Sequence, residues 1–341
     1  MKRAGHLYEQ AFTPKALLDA FHMAARHKHG KRACFQFERH LARNLDDLHE
    51  ELAGGTYKPR PYYSFMVYEP KPRRIFAPAF RDLVVQHAIY ATIGPIFERS
   101  FIDQSFACRV GFGTHRAADY AQRALQAVPR ASYTLKLDIR KFFYRIDRDI
   151  LRRLIERKIK DRRFVDLLMA FADHGEAVGI PIGNLLSQLY ALIYLNPLDH
   201  FIKRELKVRR YVRYVDDSIL FDLTREQALT YRGRIVDFLR GFRLELSKST
   251  IAHATRGLNF VGYRAWSSRR FVRRHNLRTF RRALRSGATE SVVSCLGHAR
   301  RTHSLRHMLL TIKERRHAYH RQLPKAYRQP GHARTGAAGR R

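Results

Sequence analysis

Acidic residues are scarce toward the C-terminus. Residues 251–341 hold only two, Glu290 and Glu314, against 22 Lys and Arg. The whole chain of 341 residues carries 66 Lys and Arg against 30 Asp and Glu, a formal charge of +36. A general arginine enrichment does not explain a local lack of acids, so the last quarter of the chain is where a long polyanion would lie. Cysteine is scarce as well. Cys34, Cys108 and Cys295 are odd in number and far apart, fitting neither a disulfide framework nor paired zinc-ligand spacing, and the 18 His show no metal-ligand pattern. A reducing compartment is expected. No stretch approaches the ~20 consecutive apolar residues of a membrane span, and the N-terminus lacks the apolar core of a signal peptide. A soluble cytoplasmic protein with no membrane partner follows. Its 45% hydrophobic content makes it a folded chain, long enough for about two domains.

Apolar residues three and four apart, as in Lys15–Phe21 and Ala42–Leu52, predict helices through the first 55 residues, ended by Gly54-Gly55. Prolines among aromatic and cationic residues from Tyr57 to Pro78 predict an extended segment with a hairpin, and a helix follows from Asp82 to Phe97. Residues 131–143 read as a buried strand running into a turn, and 148–172 as a helix pair. Asn184 is placed to cap an apolar helix that Pro197 would kink or divide. A helix near 225–240, a short strand at 242–246 and a hairpin-like run at 258–264 come next. A helical basic region begins at Ser267 and frays after Pro330.

The chemistry starts at Tyr214-Val215-Asp216-Asp217, between two strand-like runs. Adjacent carboxylates at a hairpin tip repel each other and are most readily kept together where a divalent cation takes up the charge. Asp138, at the end of the alternating run Leu135-Lys-Leu-Asp, supplies a third carboxylate on what reads as a neighbouring strand. Two metal ions about 4 Å apart can activate a 3′ hydroxyl and stabilise leaving pyrophosphate. Asp138 and Asp216 are the expected bridging ligands, with Asp217 as a nearer-surface helper and the Ile139 carbonyl as a further ligand.

Seven motifs occur in order: Lys71-Pro-Arg73-Arg74-Ile75, Ser105–Arg109, Leu137-Asp138-Ile139 with Phe143, Gly179–Gln188, Tyr214–Asp217, Leu244–Lys248 and Leu258–Tyr263. Over residues 57–265 this set resembles a reverse transcriptase. The resemblance implies an α+β right-hand polymerase fold. Its expected parts are an N-terminal helical region (1–56), fingers (57–130, with a part interleaved at 148–180), a palm of antiparallel sheet plus helices (131–264), a basic helical thumb (265–330) and a disordered tail (331–341). It also implies roles. Asp138, Asp216, Asp217 and Lys248 match the catalytic positions, Lys248 as the proton donor to pyrophosphate, with two Mg²⁺, or Mn²⁺ as a substitute, as cofactor. Lys71, Arg73, Arg109, Phe143, Ile182, Gly183 and Gln188 match the nucleotide-binding positions, Phe143 excluding a ribose 2′ hydroxyl. Gly262 and Tyr263 match a hairpin that grips the primer.

Ile182 stands where most reverse transcriptases have Gln, and Gln188 where they have Pro. Together with Tyr194–Asp199, this pattern resembles the reverse transcriptases of diversity-generating retroelements. That resemblance implies an enzyme, bacterial, archaeal or phage-encoded, that copies a template-repeat RNA into cDNA with errors at adenines. Its expected partners are that RNA, the RNA/DNA duplex, dNTPs and a small basic oligomeric accessory variability protein. Group II intron enzymes are set aside by their greater length and their Gln, retron enzymes by motifs absent here. No RNase H carboxylates follow residue 265. Two alternatives stay open: a conventional retroelement or phage-defence reverse transcriptase, and a non-catalytic RNA-binding protein with a retired polymerase fold, although Asp138, Asp216 and Lys248 are all present.

Overall fold

The computed structural model describes residues 3–68 and 72–314. Four helices open the chain: α1 (Leu7–Ala11), α2 (Pro14–Ala25), α3 (Arg32–Glu38) and α4 (Leu41–Gly54). Thr13 Oγ1 accepts from Ala16 N and Pro14 opens α2, a combination suited to helix initiation. A hairpin of β1 (Tyr63–Val67) and β2 (Arg73–Ala77) leads into α5 (Phe80–Glu98), and α6 (Thr114–Gln126) follows. Next come β3 (Tyr133–Ile139), α7 (Phe142–Arg145), α8 (Arg148–Glu156), α9 (Arg162–Ala172) and α10 (Leu185–His200). The acidic hairpin is β4 (Tyr211–Tyr214) with β5 (Asp217–Leu223). After it stand α11 (Arg225–Gly241), β6 (Leu246–His253), β7 (Leu258–Phe260), β8 (Tyr263–Ala265) and β9 (Arg270–Val272). Three helices, α12 (Arg274–Ser286), α13 (Thr289–Ala299) and α14 (Ser304–Glu314), end the described chain. No helix among the described residues is long and apolar enough to cross a membrane. The expected tail at 331–341 lies outside these residues.

The central sheet is antiparallel in the order β4-β5-β3-β6. Alternation along β3 assigns its faces. Leu135, Leu137 and Ile139 enter the largest core with Leu189 and Ile193 of α10, while Lys136 and Asp138 point the other way. Farther down that second face, Val212 and Ile219 pack with Phe106, Ala117 and Phe260. The sheet is thus covered on both faces except at the end bearing the acids. A third cluster joins Tyr263 and Val272 to α12, α13 and α14.

Pro197 lies inside its helix without dividing it: α10 continues through it to His200 and opens into a π turn over Phe201–Glu205. The missing N–H of Pro197 leaves one helical carbonyl without its usual donor, and the π turn is closed separately by Leu206 N on Phe201 O (3.0 Å). The strand expected at 242–246 starts instead at Leu246. Residues 242–244 are used to close α11, with Leu244 N bonded to Leu239 O and Arg243 in the left-handed region (φ 54°).

Candidate active site

Asp138 on β3 lies directly opposite Asp217 on β5 and Lys248 on β6. Opposite residues of antiparallel strands project to the same face, so one register unites two acids and the candidate proton donor. Asp216 sits at the tip of the two-residue turn closed by the pair Tyr214 and Asp217, and its carbonyl accepts from Ile139 N (3.3 Å). Ile139 has a buried side chain, which leaves its main chain as the part that can serve the site. Val215 begins the turn at φ 54°, a conformation rarely adopted by a β-branched residue.

A buried ion pair holds that strained turn. Arg213 and Asp199 have side chains 1% and 0% exposed, joined by Nε to Oδ1 (2.7 Å) and Nη2 to Oδ2 (2.5 Å). Tyr211 Oη donates to Asp199 Oδ1 (2.9 Å), and Arg213 Nη1 reaches over to the Val215 carbonyl (3.1 Å). The sequence assigns neither charge a role; the available signal is an Asp after Pro197-Leu198 and an Arg between Val212 and Tyr214.

The acids share an unfavourable field. Burial pushes the Asp217 carboxyl up to about 6; Lys136 opposes this, and Asp138 and Asp216 add to it. Burial also raises Asp216, as does Asp138, while Arg73 and Arg213 draw it down. Ser247 Oγ donates to Asp138 Oδ2. Lys136 Nζ donates to Asp217 Oδ2 (2.8 Å), and Asp217 Oδ1 is buried without a hydrogen-bond partner. Asp217, expected as a nearer-surface helper, is partly buried, with its side chain 26% exposed. An orphaned carboxylate oxygen and mutual repulsion of three hard oxygen donors fit a divalent cation of the magnesium type. Among the described residues, Asp138, Asp216 and Asp217 do not gather their oxygens within 4.8 Å of one another as a trio, and Asp217 is paired with Lys136.

Backbone bonds connect the segment of Ile182 and Gly183 to β2, which carries Arg73, and to the turn that carries Phe143. Arg73 is exposed on β2, whereas Arg74 is engaged with Glu176 (3.2 Å) and Ser64 (3.2 Å). The half-buried Ile182 offers its carbonyl to Phe76 N (2.7 Å), and Ile180 N donates to Phe143 O (2.9 Å). One segment therefore touches both β2 and the turn after β3. Gly183 has φ 103°, and a Cβ there would stand 2.6 Å from Ile75 Cγ2, so glycine is needed for this approach. Phe143 is half-buried at its turn while Phe142 is packed in the core; Gln188 is exposed on the first turns of α10. Lys71 lies outside the described residues.

Two expected contacts are corrected. Arg109 is 4% exposed, with its guanidinium bonded to Glu98 (2.6 and 2.7 Å) and to the carbonyls of Ile102 (2.7 Å) and Ser105 (2.8 Å), and stacked 3.9 Å over Phe112. It braces a loop, with Nε, Nη1 and Nη2 all engaged there. Tyr263 is 1% exposed: its ring stacks on His298 (centroids 4.2 Å apart) and its hydroxyl donates to His298 O (2.8 Å), so it cannot face a primer. Gly262 does sit at the β7–β8 tip, at φ 89°, with its carbonyl accepting from Arg273 N (3.0 Å).

An antiparallel sheet with an Asp at one strand end, an Asp pair on the neighbouring hairpin and a Lys on the third strand defines a right-hand polymerase of mixed helix and sheet. Residues 69–265 match the family model described as reverse transcriptase (RNA-dependent DNA polymerase). The chain belongs to that family. Among curated proteins it is 27% identical over 278 residues to Protein YkfC of Escherichia coli, covering 66% of this chain and 71% of that one. It is 31% identical over 165 residues to Group II intron-encoded protein LtrA of Lactococcus lactis, covering 45% of this chain but only 27% of that protein's length. A solved structure of telomerase from Candida albicans, with a fragment of telomeric RNA, has a TM-score of 0.48 at 11% identity, covering 77% of this chain and 57% of the other. The relatives thus include the group II intron proteins that length and Ile182 had argued against.

Proposed function

We propose that this chain is an RNA-directed DNA polymerase that copies a template-repeat RNA into cDNA, with errors at template adenines, to diversify a target gene. The observation that carries the polymerase reading is the direct opposition of Asp138 to Asp217 and Lys248, with Asp216 bonded onto the end of β3. Asp138 and Asp216 would hold two Mg²⁺, with Asp217 and the Ile139 carbonyl assisting. When bound, that metal pair activates the primer 3′ hydroxyl and offsets charge on the departing pyrophosphate. Lys248 would give a proton to the pyrophosphate oxygen, Arg73 would hold the triphosphate, and Phe143 would crowd a ribose 2′ hydroxyl. In this reading 57–130 and 148–180 are fingers, 131–264 palm, and 265–330, of which 315–330 lie outside the described residues, a thumb that follows an RNA/DNA duplex. A small basic accessory protein would assist, and the setting would be the cytoplasm of a bacterium or archaeon or a phage-infected cell.

The adenine-specific part rests on Ile182, an apolar side chain held beside β2 where an amide could otherwise hydrogen-bond to the nascent pair. A conventional retroelement reverse transcriptase is the second reading, favoured by the 31% identity to a group II intron-encoded protein. The deciding experiment is primer extension on an RNA template with Mg²⁺, followed by sequencing of the cDNA. Misincorporation concentrated opposite adenine is expected. Uniform fidelity favours the conventional enzyme, and binding of RNA without extension rejects the polymerase reading.

A further inference from the structure

Far from the acidic hairpin in sequence, one trio gathers three kinds of donor atom. His29, Cys34 and Glu38 bring an imidazole nitrogen, a thiol sulfur and a carboxylate oxygen within 4.8 Å of one another, and no second such trio occurs among the described residues. Local geometry builds it. Cys34 and Glu38 are four apart on α3 and so share a face. Between α2 and α3 the chain doubles back through bonds from Lys28 N to Ala25 O (2.7 Å) and from Lys31 N to Lys28 O (2.8 Å), with His27 at φ 62°. That turn carries His29 onto the same face.

His29 Nδ1 lies 3.1 and 3.2 Å from the two carboxylate oxygens of Glu38. This is close to the edge of about 3.3 Å between tetrahedral donors that each stand 2.0–2.1 Å from a zinc ion. The thiol lies at the bottom, Cys34 being 0% exposed, while the side chains of His29 and Glu38 are 59% and 38% exposed and leave a way in. An ion pair accounts for His29 and Glu38 alone. It does not account for a sulfur within reach of both.

We propose that His29, Cys34 and Glu38 bind one borderline-soft divalent ion of the zinc type, with solvent at the fourth position. Thiolate and imidazole donors select against magnesium, so the ion is distinct in kind from the one that suits the aspartates. On binding, the Cys34 thiol loses its proton to solvent as the sulfur–metal bond forms, and two anionic ligands offset the dication. The bound ion would clip the α2–α3 turn. Both helices pack on α5, through Phe21 to Phe80 (6.2 Å) and Phe37 to Phe80 (5.4 Å), so the clip would fasten the N-terminal helices there. The three residues are spaced as His-x4-Cys-x3-Glu, unlike paired-cysteine zinc motifs, and sequence inspection missed them.

The test uses the full metal-depleted chain titrated with Co²⁺ alone and then with Zn²⁺. One equivalent of Co²⁺ should produce a thiolate-to-cobalt charge-transfer band and intense tetrahedral visible bands, both erased by Zn²⁺. Cys34→Ser should abolish the charge-transfer band. Glu38→Gln, at a partly exposed position that spares the core, should keep the band but weaken affinity by at least the ~10-fold that losing even an outer partner costs. Absence of the band in the native chain, its persistence in Cys34→Ser, or unchanged affinity in Glu38→Gln would each overturn the site.

Discussion

Lys136 Nζ stands 2.8 Å from Asp217 Oδ2 and 2.6 Å from the Asn259 carbonyl, so one ammonium fastens the second acid of the hairpin to strand β7. Lys136→Met keeps the length and apolar stem but removes the charge. Loss of a charged hydrogen bond costs about 1.5–3 kcal/mol, and kcat for primer extension should fall roughly tenfold or more. Mn²⁺ binding, followed by electron paramagnetic resonance, should tighten because a competing cation is gone. Lys136→Arg should recover most of the rate. Weaker Mn²⁺ binding with unchanged kcat would refute the tie.

The raised Asp217 carboxyl has a consequence for stability. Its folded value, about 6, lies above the ordinary 3.8, so the folded state favours the protonated form. The contribution is full below about 4 and is lost as pH rises through 6. Without divalent ions, thermal stability should therefore decline across that window, and Asp217→Asn should flatten the decline and raise Tm at pH 8. The gain should be at most about 3 kcal/mol. A Tm at pH 8 lower than that of the native chain, measured without metal, would contradict this.

Asp199 and Arg213 make the strongest stability prediction, because each is buried and holds the other's charge. Removing one partner strands a charge inside the protein, at a cost of about 3–5 kcal/mol. Asp199→Asn and Arg213→Met should each lower the denaturant midpoint accordingly and release the Val215 turn, reducing activity beyond the loss of folded enzyme. The double variant Asp199→Leu with Arg213→Met should recover much of the stability but little of the activity. Equal recovery of both would mean that the pair only supports the fold.

The sequence disclosed what depends on local pattern. Alternation placed Leu135, Leu137 and Asp138 on opposite faces of a strand, the Asp pair marked a turn, and Asn184 signalled a cap that the structure contains, accepting from Leu186 N (2.8 Å). It did not disclose where long side chains end. Arg73, Arg74 and Arg109 look alike in sequence, yet one is exposed, one is engaged with Glu176 and one is spent on carbonyls. Tyr263 reads as a primer contact only through the resemblance, which assigns it with Gly262 to a gripping hairpin. Its ring belongs to a core assembled from helices far along the chain. The Lys136 bridge and the His29–Cys34–Glu38 trio were hidden for the same reason, since diagonal strand neighbours and a doubled-back turn leave no spacing to recognise.

Phe143 should set the choice between deoxyribose and ribose. It stands half-buried at the turn after Asp138, backed by the bond from Ile180 N to its carbonyl, while Phe142 takes the core position. Phe143→Val removes the ring plane and leaves the core untouched. Incorporation of ribonucleotides relative to deoxyribonucleotides should rise by about tenfold or more, the equivalent of at least 1.4 kcal/mol of lost discrimination. An unchanged ratio, with primer extension intact, would assign Phe143 to packing alone.

Ile182 offers the sharpest test of loose base checking. Its main chain is pinned by the bond to Phe76 N and by Gly183, whose left-handed conformation sets the direction of the chain entering α10. A change of side chain there should leave the backbone in place. Ile182 is also only half-buried, so a Gln amide can keep contact with water and should cost little stability. Ile182→Gln restores a hydrogen-bonding group where the native side chain has none. If that lack relaxes geometry at the nascent pair, misincorporation opposite template adenine should fall severalfold, and errors opposite the other bases should change far less. The measurement is deep sequencing of cDNA made by both enzymes on one RNA template. An identical error spectrum would remove Ile182 from the account of fidelity, and an equal fall at all four bases would give it a general role in nucleotide selection without preference for adenine.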